Sequence, residues 1–390
     1  MKGIRVLLIH NYYQQPGGED QVFKAEKAML QEAGVEVIEH LAHNDELASM
    51  GPLKLAQVTL WNGHAYNQVR SLVRKHKPHV AHVHNTFPLL SPAIYHAIKA
   101  EGVPIVQTLH NYRLLCLNAT LLREGQECVK CLGKSVPWPG VWHSCYRNRA
   151  ASSVVASMLV MHRLLRTWKD KIDRFIVLTD YEYSVFVKGG LEPHKIKLKP
   201  NFVHPDPGPG DGQGGYALFV GRLSPEKGIG VLLEAWKNLD IPLKIAGDGP
   251  LGAVVAEAVK SMPQVEWLGR RPRQEIFPLM QKAAFLVFPS ITYEGFPMTL
   301  VEAFATGLPV IGSNYGSMPQ VIREDECGLL FEVGNAESLA KKAKWIWNKP
   351  DRLAEMRQQA RLEFETRYSA KQNLQMLLGI YQEAAGPNWP

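Results

Sequence analysis

The chain has no apolar run approaching the 18 or so residues that a bilayer-spanning helix requires, so no such helix is expected. Its opening stretch, MKGIRVLLIHNYY, is too short in apolar residues for a secretory signal. It reads as a first β-strand, and the expected location is cytoplasmic. No Gly-x-Gly-x-x-Gly is present, which argues against a dinucleotide-dependent enzyme. No internal repeat is visible beyond a strand–helix alternation. Cysteine is scarce, at 5 in 390 residues, and four of the five fall within 30 residues of one another. Acidic residues run short only in the first half. Residues 1–202 carry 25 Lys+Arg against 16 Asp+Glu, a balance of +9, and the remainder carries 19 against 21, a balance of −2. A basic half can attract acidic lipid headgroups, a diphosphate-linked acceptor or nucleic acid, or be a plain solvated surface.

What is present is globular: 46% apolar and 21% charged residues, with length enough for two or three domains. Strands are expected at Arg5–His10, Val35–Glu39, Val80–His84, Ile105–Thr108, Phe175–Leu178 and Ile196–Lys199. Helices between them are expected at Gln21–Glu32, Asn67–His76, Ile94–Glu101, Ala150–Trp168 and Tyr181–Lys188. This alternation implies a parallel sheet covered on both faces. Pro200–Gly215, rich in Pro and Gly, reads as a linker. The pattern restarts after it with Tyr216–Val220, Gly228–Asn238 and Leu243–Ala246. The expected organisation is an α/β domain over 1–202 with a Cys-containing insert at 113–149, a second over 203–369, and a terminal helix from 370. Ligands in such sheets bind beyond the strands' carboxyl ends, so a cleft between the domains is the expected site.

The stretch FLVFPSITYEGFPMTLVEAFATGLPVIG, residues 285–312, says most about function. Phe285–Pro289 reads as a buried parallel strand, and Thr299–Thr306 as a helix stopped by Gly307-Leu308-Pro309. Glu294 then lies in a loop at a strand's carboxyl end, beside Gly295, and Glu302 lies inside the helix. The amides of Phe296, Met298, Thr299 and Leu300 lie near the helix N-terminus, which favours anions. Carboxylates beside an anion site face hydroxyls, because an ionised Glu only accepts hydrogen bonds. Phosphate flanked by polyols describes a sugar nucleotide.

The segment resembles the E-x7-E motif of retaining GT-B glycosyltransferases, specifically glycosyltransferase family four, the group 1 glycosyltransferases. The resemblance covers nearly the whole chain and is most specific from Gly221 to Gly312. It implies a GT-B fold of two Rossmann-like domains, acceptor binding in the first and nucleotide-sugar binding in the second, with the last helix crossing back to the first. It assigns Glu294 to the donor sugar and Glu302 to the ribose. Arg222 and Lys227, in Gly221-Arg222-Leu223-Ser224-Pro225-Glu226-Lys227-Gly228, become the diphosphate clamp, a role that fits a bidentate guanidinium and a point charge at a helix mouth. Asp248 stands in the matching Gly-Asp-Gly turn, and Arg270 follows the segment that lines the nucleobase pocket. Pro16-Gly17-Gly18 matches the Gly-Gly loop that approaches the diphosphate, and His110 with Asn111 the pair that faces the donor sugar.

The expected donor is a UDP or GDP sugar. The expected acceptor is a glycan or a lipid-linked glycan in polysaccharide synthesis. No divalent cation is expected, because Arg and Lys take its place. Nucleic acid is an unlikely partner. The alternatives are another GT-B sugar-nucleotide enzyme, such as an epimerase, and a non-catalytic module that holds nucleic acid or glycan.

Four features lie outside that pattern. Cys116, Cys128, Cys131 and Cys145, spaced C-x11-C-x2-C-x13-C, fit a structural tetrahedral zinc, free or disulfide-capable thiols, or, as a minor option, an iron–sulfur site. Trp138 and Trp142 in the same insert fit either stacking on sugar rings or covering a small core. His82 and His84 fit strand alternation better than a metal pair, with Asn85 entering the cleft. Ala150–Asp173 forms a basic amphipathic helix that either packs on the sheet or lies on the inner face of a membrane as a peripheral contact.

Overall fold

The computed structural model describes residues 3–14 and 17–390 and divides the chain into two compact units. Unit 1 comprises Met1–Arg123, Cys128–Pro200 and Asn373–Pro390; unit 2 comprises Glu124–Glu127 and Asn201–Gln372.

Unit 1 is built on six parallel strands: β1 (Arg5–Tyr12), β2 (Glu36–His43), β3 (Val80–Val83), β4 (Ile105–Thr108), β5 (Arg174–Val177) and β6 (Ile196–Leu198), in the order β2-β1-β3-β4-β5-β6. Val80–Val83 and Ile105–Thr108 are buried throughout, as expected of strands covered on both faces. Leu8 pairs with His82, and His82 with Val106. The carboxyl ends of β1, β3 and β4 therefore lie side by side, at the point where the strand order reverses. Of the helices, α1 (Gly18–Glu32) follows β1 and α2 (Arg149–Leu164) follows the cysteine insert.

Unit 2 repeats the plan with β7 (Ala217–Val220), β8 (Leu243–Ala246), β9 (Val265–Gly269), β10 (Leu286–Phe288), β11 (Val310–Ser313) and β12 (Gly328–Phe331), all parallel. The order is β9-β8-β7-β10-β11-β12, so the reversal falls between β7 and β10. Helices α3 (Ile229–Trp236), α4 (Arg273–Lys282) and α5 (Met298–Ala305) follow β7, β9 and β10. The final helix, α6 (Ala370–Ala385), begins at the end of unit 2 and belongs to unit 1 from Asn373 onward. Two doubly wound α/β units are what the strand–helix alternation implied.

Pro200–Gly215 differs from its reading as a linker. The unit boundary does fall at Pro200–Asn201, but the rest is fixed to unit 2. Phe202 and Val203 are buried. The amides of Gly210, Gly212 and Gly214 donate to the carbonyls of Thr306, Gln281 and Lys282. Asp206 takes two bonds from the Arg361 guanidinium, at 2.8 and 2.7 Å. The glycines serve close approach here: a Cβ on Gly210 would lie 2.1 Å from the Gln281 carbonyl oxygen. The helix expected over Ala150–Trp168 also ends earlier, at Leu164, and continues after a left-handed Arg166 as a separate turn, Thr167–Lys171.

A buried carboxyl gives unit 1 a pH-dependent stability. Glu182 is fully buried after β5, where Oε2 accepts the Leu178 amide at 2.8 Å. Burial pushes its pKa up to about 8, from an ordinary 4.5. The native state thus keeps a proton that the unfolded chain releases between those values, so stability declines as pH rises through that window. Glu182→Gln is expected to flatten the decline and to gain on the wild type, on the order of a few kcal/mol at pH 8.5. Urea melts of both proteins at pH 5 and pH 8.5 check this; parallel curves would refute it.

Candidate functional site

In unit 2 the loops after β7, β8 and β9 touch through backbone at glycines. Gly247 has φ +155°, and a Cβ there would sit 1.8 Å from the Gly221 carbonyl oxygen. Gly221 donates to Ala246, Gly247 to Gly269, and Leu223 to the Asp248 carbonyl. Asp248 folds back on the next residue, Oδ1 accepting the Gly249 amide at 2.7 Å. Gly228, with φ +72°, starts α3 and lies so close to Pro289 that a Cβ would be 1.9 Å from its carbonyl oxygen. The Ile291 amide bonds the Glu226 carbonyl at 3.0 Å. The loops after β7 and β10 are thus held against each other at the strand reversal, where α/β sheets bind ligands.

Two expected site residues meet there. Lys227 Nζ lies 2.6 Å from Glu294 Oε1, which also accepts from the Ser290 hydroxyl at 2.8 Å. The Glu294 carbonyl takes the Ser317 hydroxyl at 2.7 Å, so backbone and side chain are both anchored. Arg222 and Arg270 are exposed and form no ion pair among the described residues. The side chains of Phe296, Met298 and Leu300 are buried. That leaves the backbone at the start of α5, with Gly295 and Thr299, as the part able to meet a ligand; the first amides of a helix have no intrahelical acceptor.

Glu302 is buried within α5, and burial raises its pKa while Arg273 lowers it. The Arg273 guanidinium, at the first turn of α4, is 3.1 Å from Glu302 Oε1 but makes no aligned hydrogen bond with it. The sequence reading missed Arg273. Its signal was the run Arg270-Arg271-Pro272-Arg273 opening a helix.

In unit 1, Pro16 lies outside the described residues. Gly17 caps α1, and its amide is already engaged, donating to Asp20 Oδ2 at 2.8 Å. Of the Gly-Gly loop expected to approach the diphosphate, the Gly18 amide remains at the helix start. Asp20 Oδ1 in turn bonds His10 Nε2 at 2.7 Å. Asn111 is set by Arg113, whose amide donates to its Oδ1 at 3.0 Å, and approaches Glu19 at 3.4 Å. Burial and the neighbouring Asp20 push Glu19 up to about 8. Asn85 is buried, donates to the Asn11 carbonyl at 2.7 Å and accepts the Phe87 amide at 2.9 Å, and lines a small cavity with His84, His110, Asn111 and Arg113.

His82 and His84 share a third partner that the sequence did not reveal. Glu26 of α1 places Oε1 at 2.8 Å from His82 Nδ1 and 3.1 Å from His84 Nε2. Its Oε2 is 3.1 Å from Lys199 Nζ, which also donates to Asn373 Oδ1 at 3.0 Å. His84 Nδ1 lies 2.9 Å from His110 Nε2. The two imidazoles and the carboxylate offer ligand atoms within 4.8 Å of one another, yet the Lys199 ammonium already supplies the cation. Burial would raise Glu26, but Lys199, His82 and His84 hold it well below the usual range. Burial, with His82 nearby, lowers His84 to about 3, and burial lowers His110 as well.

The insert brings Cys116, Cys128, Cys131 and Cys145 around one small cavity with Pro139, Gly140 and His143. Burial raises the Cys131 thiol, and the other three cysteines add to the shift. Among the described residues no three of these sulfurs lie within 4.8 Å of one another. Trp138 and Trp142 cover no core; they are 59% and 66% exposed, with Lys134 and Arg149 against their rings. Helix α2 buries Val155, Met158 and Leu159, while Leu164 beyond them is 78% exposed. Arg149, Arg166 and Lys169 of its expected basic face are exposed, and two other basic residues are engaged internally. Arg163 donates to the carbonyls of Leu114, Lys134 and Ser135, and His162 is buried against Leu60 and Thr167.

Known proteins share these features. Residues 207–363 match the family model of glycosyl transferases group 1, and residues 30–207 that of glycosyltransferase family 4. An uncharacterised glycosyltransferase of Methanocaldococcus jannaschii is 31% identical over 175 residues, 44% of this chain and 49% of that protein. A GDP-mannose-dependent alpha-mannosyltransferase of Corynebacterium glutamicum is 27% identical over 290 residues, 71% of this chain and 61% of its own. The chain spans about half the length of the first of these relatives. The crystal structure of Anabaena HepE in complex with UDP superposes with a TM-score of 0.68 at 15% identity, covering 96% of this chain and 99% of that one.

Proposed function

Because the chain belongs to the group 1 glycosyltransferases of the GT-B fold, we propose that it moves a sugar from a nucleoside-diphosphate sugar to a glycan or lipid-linked acceptor, with retention at the anomeric carbon. The observation that carries this reading is the Lys227–Glu294–Ser290 cluster at the strand reversal of unit 2, eight residues ahead of the buried Glu302. A phosphate would take Lys227, Arg222 and the amides at the start of α5. Glu294 would then be released to accept from sugar hydroxyls, and Glu302, positioned by Arg273, from ribose hydroxyls. Unit 2 is read as the nucleotide-sugar domain and unit 1 as the acceptor domain, with His110 contacting the donor sugar, Asn111 supporting it, and the Gly18 amide serving the diphosphate. The UDP bound to HepE and the GDP-mannose dependence of the corynebacterial relative support a UDP- or GDP-type donor.

In the step proposed, the acceptor oxygen bonds to the anomeric carbon on the face that the diphosphate leaves. The bond to the diphosphate oxygen breaks with its electron pair, and that oxygen takes the acceptor's proton. Arg222, Lys227 and the α5 terminus stabilise the charge that develops there, which is commonly the largest catalytic contribution. The reaction requires no divalent cation in this reading.

Thermal melts with UDP-, GDP-, ADP- and CMP-sugars test the donor site. One nucleotide class is expected to stabilise the wild type, and Glu302→Ala to weaken that binding by about 10- to 100-fold, the loss of hydrogen bonds to a charged group. Stabilisation by none of them would reject the reading.

The same proposal includes a structural zinc on Cys116, Cys128, Cys131 and Cys145, whose side chains line one small cavity. Metal analysis is expected to find about one zinc per chain, lost in Cys131→Ser. Four thiols that react with no metal released would exclude it.

The exposed Trp138, Trp142 and Leu164, with Lys134, Arg147 and Arg149 nearby in sequence, suit peripheral contact with an anionic membrane. Co-sedimentation with vesicles containing phosphatidylglycerol is expected, and is expected to fall with Trp138→Ala plus Trp142→Ala. Equal recovery with neutral vesicles would reject an electrostatic contribution.

A further inference from the structure

His110 is the one member of the buried row His110–His84–Glu26–Lys199 that is only half-buried. The row has a direction, and the direction follows from what each group can donate. Lys199 has only protons to give, so Glu26 Oε2 accepts from it at 3.1 Å. Glu26 Oε1 is likewise acceptor-only and faces two imidazole nitrogens, so His84 must carry a proton on Nε2 to meet it at 3.1 Å. A neutral imidazole protonated at Nε2 has a lone pair at Nδ1. His84 Nδ1 therefore accepts at 2.9 Å, and the proton in that bond belongs to His110 Nε2. With its proton there, His110 keeps a lone pair on Nδ1, which has no hydrogen-bond partner among the described residues.

We propose that Glu26, acting through His84, fixes His110 in the Nε2–H tautomer, so that His110 meets its ligand as a hydrogen-bond acceptor at Nδ1. Glu26, His84 and Lys199 are positioning residues: none is exposed to a ligand, and each acts through the next. The ligand chemistry follows. A lone pair held on a neutral ring accepts from a hydroxyl and repels a phosphate oxygen. His110 is thus matched to a sugar hydroxyl and mismatched to the diphosphate. Naming the donor sugar as the source of that hydroxyl rests on the function proposed above; the tautomer does not. Helix α6 completes the row within unit 1, because Asn373 holds Lys199 at 3.0 Å and Tyr381 places its hydroxyl 2.8 Å from His82 Nδ1. Residues near the end of the chain thereby help to hold a side chain at the end of β4.

Glu26→Gln reverses the row. The amide oxygen faces the Lys199 ammonium, its NH2 faces the histidines, His84 must accept at Nε2 and donate from Nδ1, and His110 becomes a donor at Nδ1. Long-range proton–nitrogen spectra of full-length protein labelled with 15N-histidine read this directly, with the His110 signals identified by their loss in His110→Asn. The expected result is an Nε2–H tautomer for His84 and His110 in the wild type and an Nδ1–H tautomer for both in Glu26→Gln. A wild-type His110 protonated at Nδ1, or a folded Glu26→Gln with His110 unchanged, overturns the proposal. Should Glu26→Gln fail to fold, His84→Phe removes the acceptor. His110 is then expected to exchange between tautomers and average its two nitrogen signals, and retention of a single Nε2–H form would count equally against the proposal.

These spectra need no substrate, so their outcome is separable from that of the donor-binding melts. In turnover, Glu26→Gln is expected to slow transfer about tenfold, the scale of one hydrogen bond to a reacting substrate. Binding of the bare nucleoside diphosphate is expected to stay unchanged. Loss of both together would indicate a merely structural role.

Discussion

A carboxylate buried away from solvent has to be matched, and Glu26 is matched by three side chains. Helix α1 supplies it, His82 and His84 reach it from the end of β3, and Lys199 reaches it from the end of β6. Breaking such a group by removing one partner typically costs about 3–5 kcal/mol, because an uncompensated charge is left behind. This one interaction therefore sets where α1 lies on the sheet, where the chain leaves β6, and, through Asn373, where the terminal helix docks. The charge density that stabilises unit 1 is the same density that orients its half-buried histidine.

Unit 2 solves a different problem. Its loops carry few buried charges and are fixed by backbone contacts that admit no side chain, at Gly221–Gly247 and at Gly228–Pro289. Because the carbonyls and amides of these loops bond one another at the strand ends, Lys227 and Glu294 can stay partly exposed and still keep a defined position. Rigid backbone beneath partly exposed charges suits a surface that must exchange one set of partners for another.

Much of this was readable in the chain. Alternating apolar stretches marked both sheets, and the reading of a strand, loop and helix placed Glu294 in the loop after β10 and Glu302 inside α5, where the structure has them. What stayed hidden depended on distance in sequence. Glu26 looked like one charge on an amphipathic helix, and its partners lie 56, 58 and 173 positions away at His82, His84 and Lys199. Arg273 was masked by the exposed arginines beside it. The Pro- and Gly-rich stretch after Pro200 misled for a physical reason: the absence of side chains that signals freedom in a linker also permits the tight approach seen at Gly210.

The Lys227–Glu294 pair has a consequence for selectivity. Before any ligand arrives, the cation that a phosphate would seek is neutralised by the carboxylate beside it. On the donor reading proposed above, a phosphate that takes the lysine leaves the glutamate with the Ser290 hydroxyl alone, so a simple anion would be a poor competitor. A molecule that brings an anion and hydroxyls together would separate the pair and satisfy both halves. Such a site would screen for a combination of groups, with two residues that each mask the other until that combination appears.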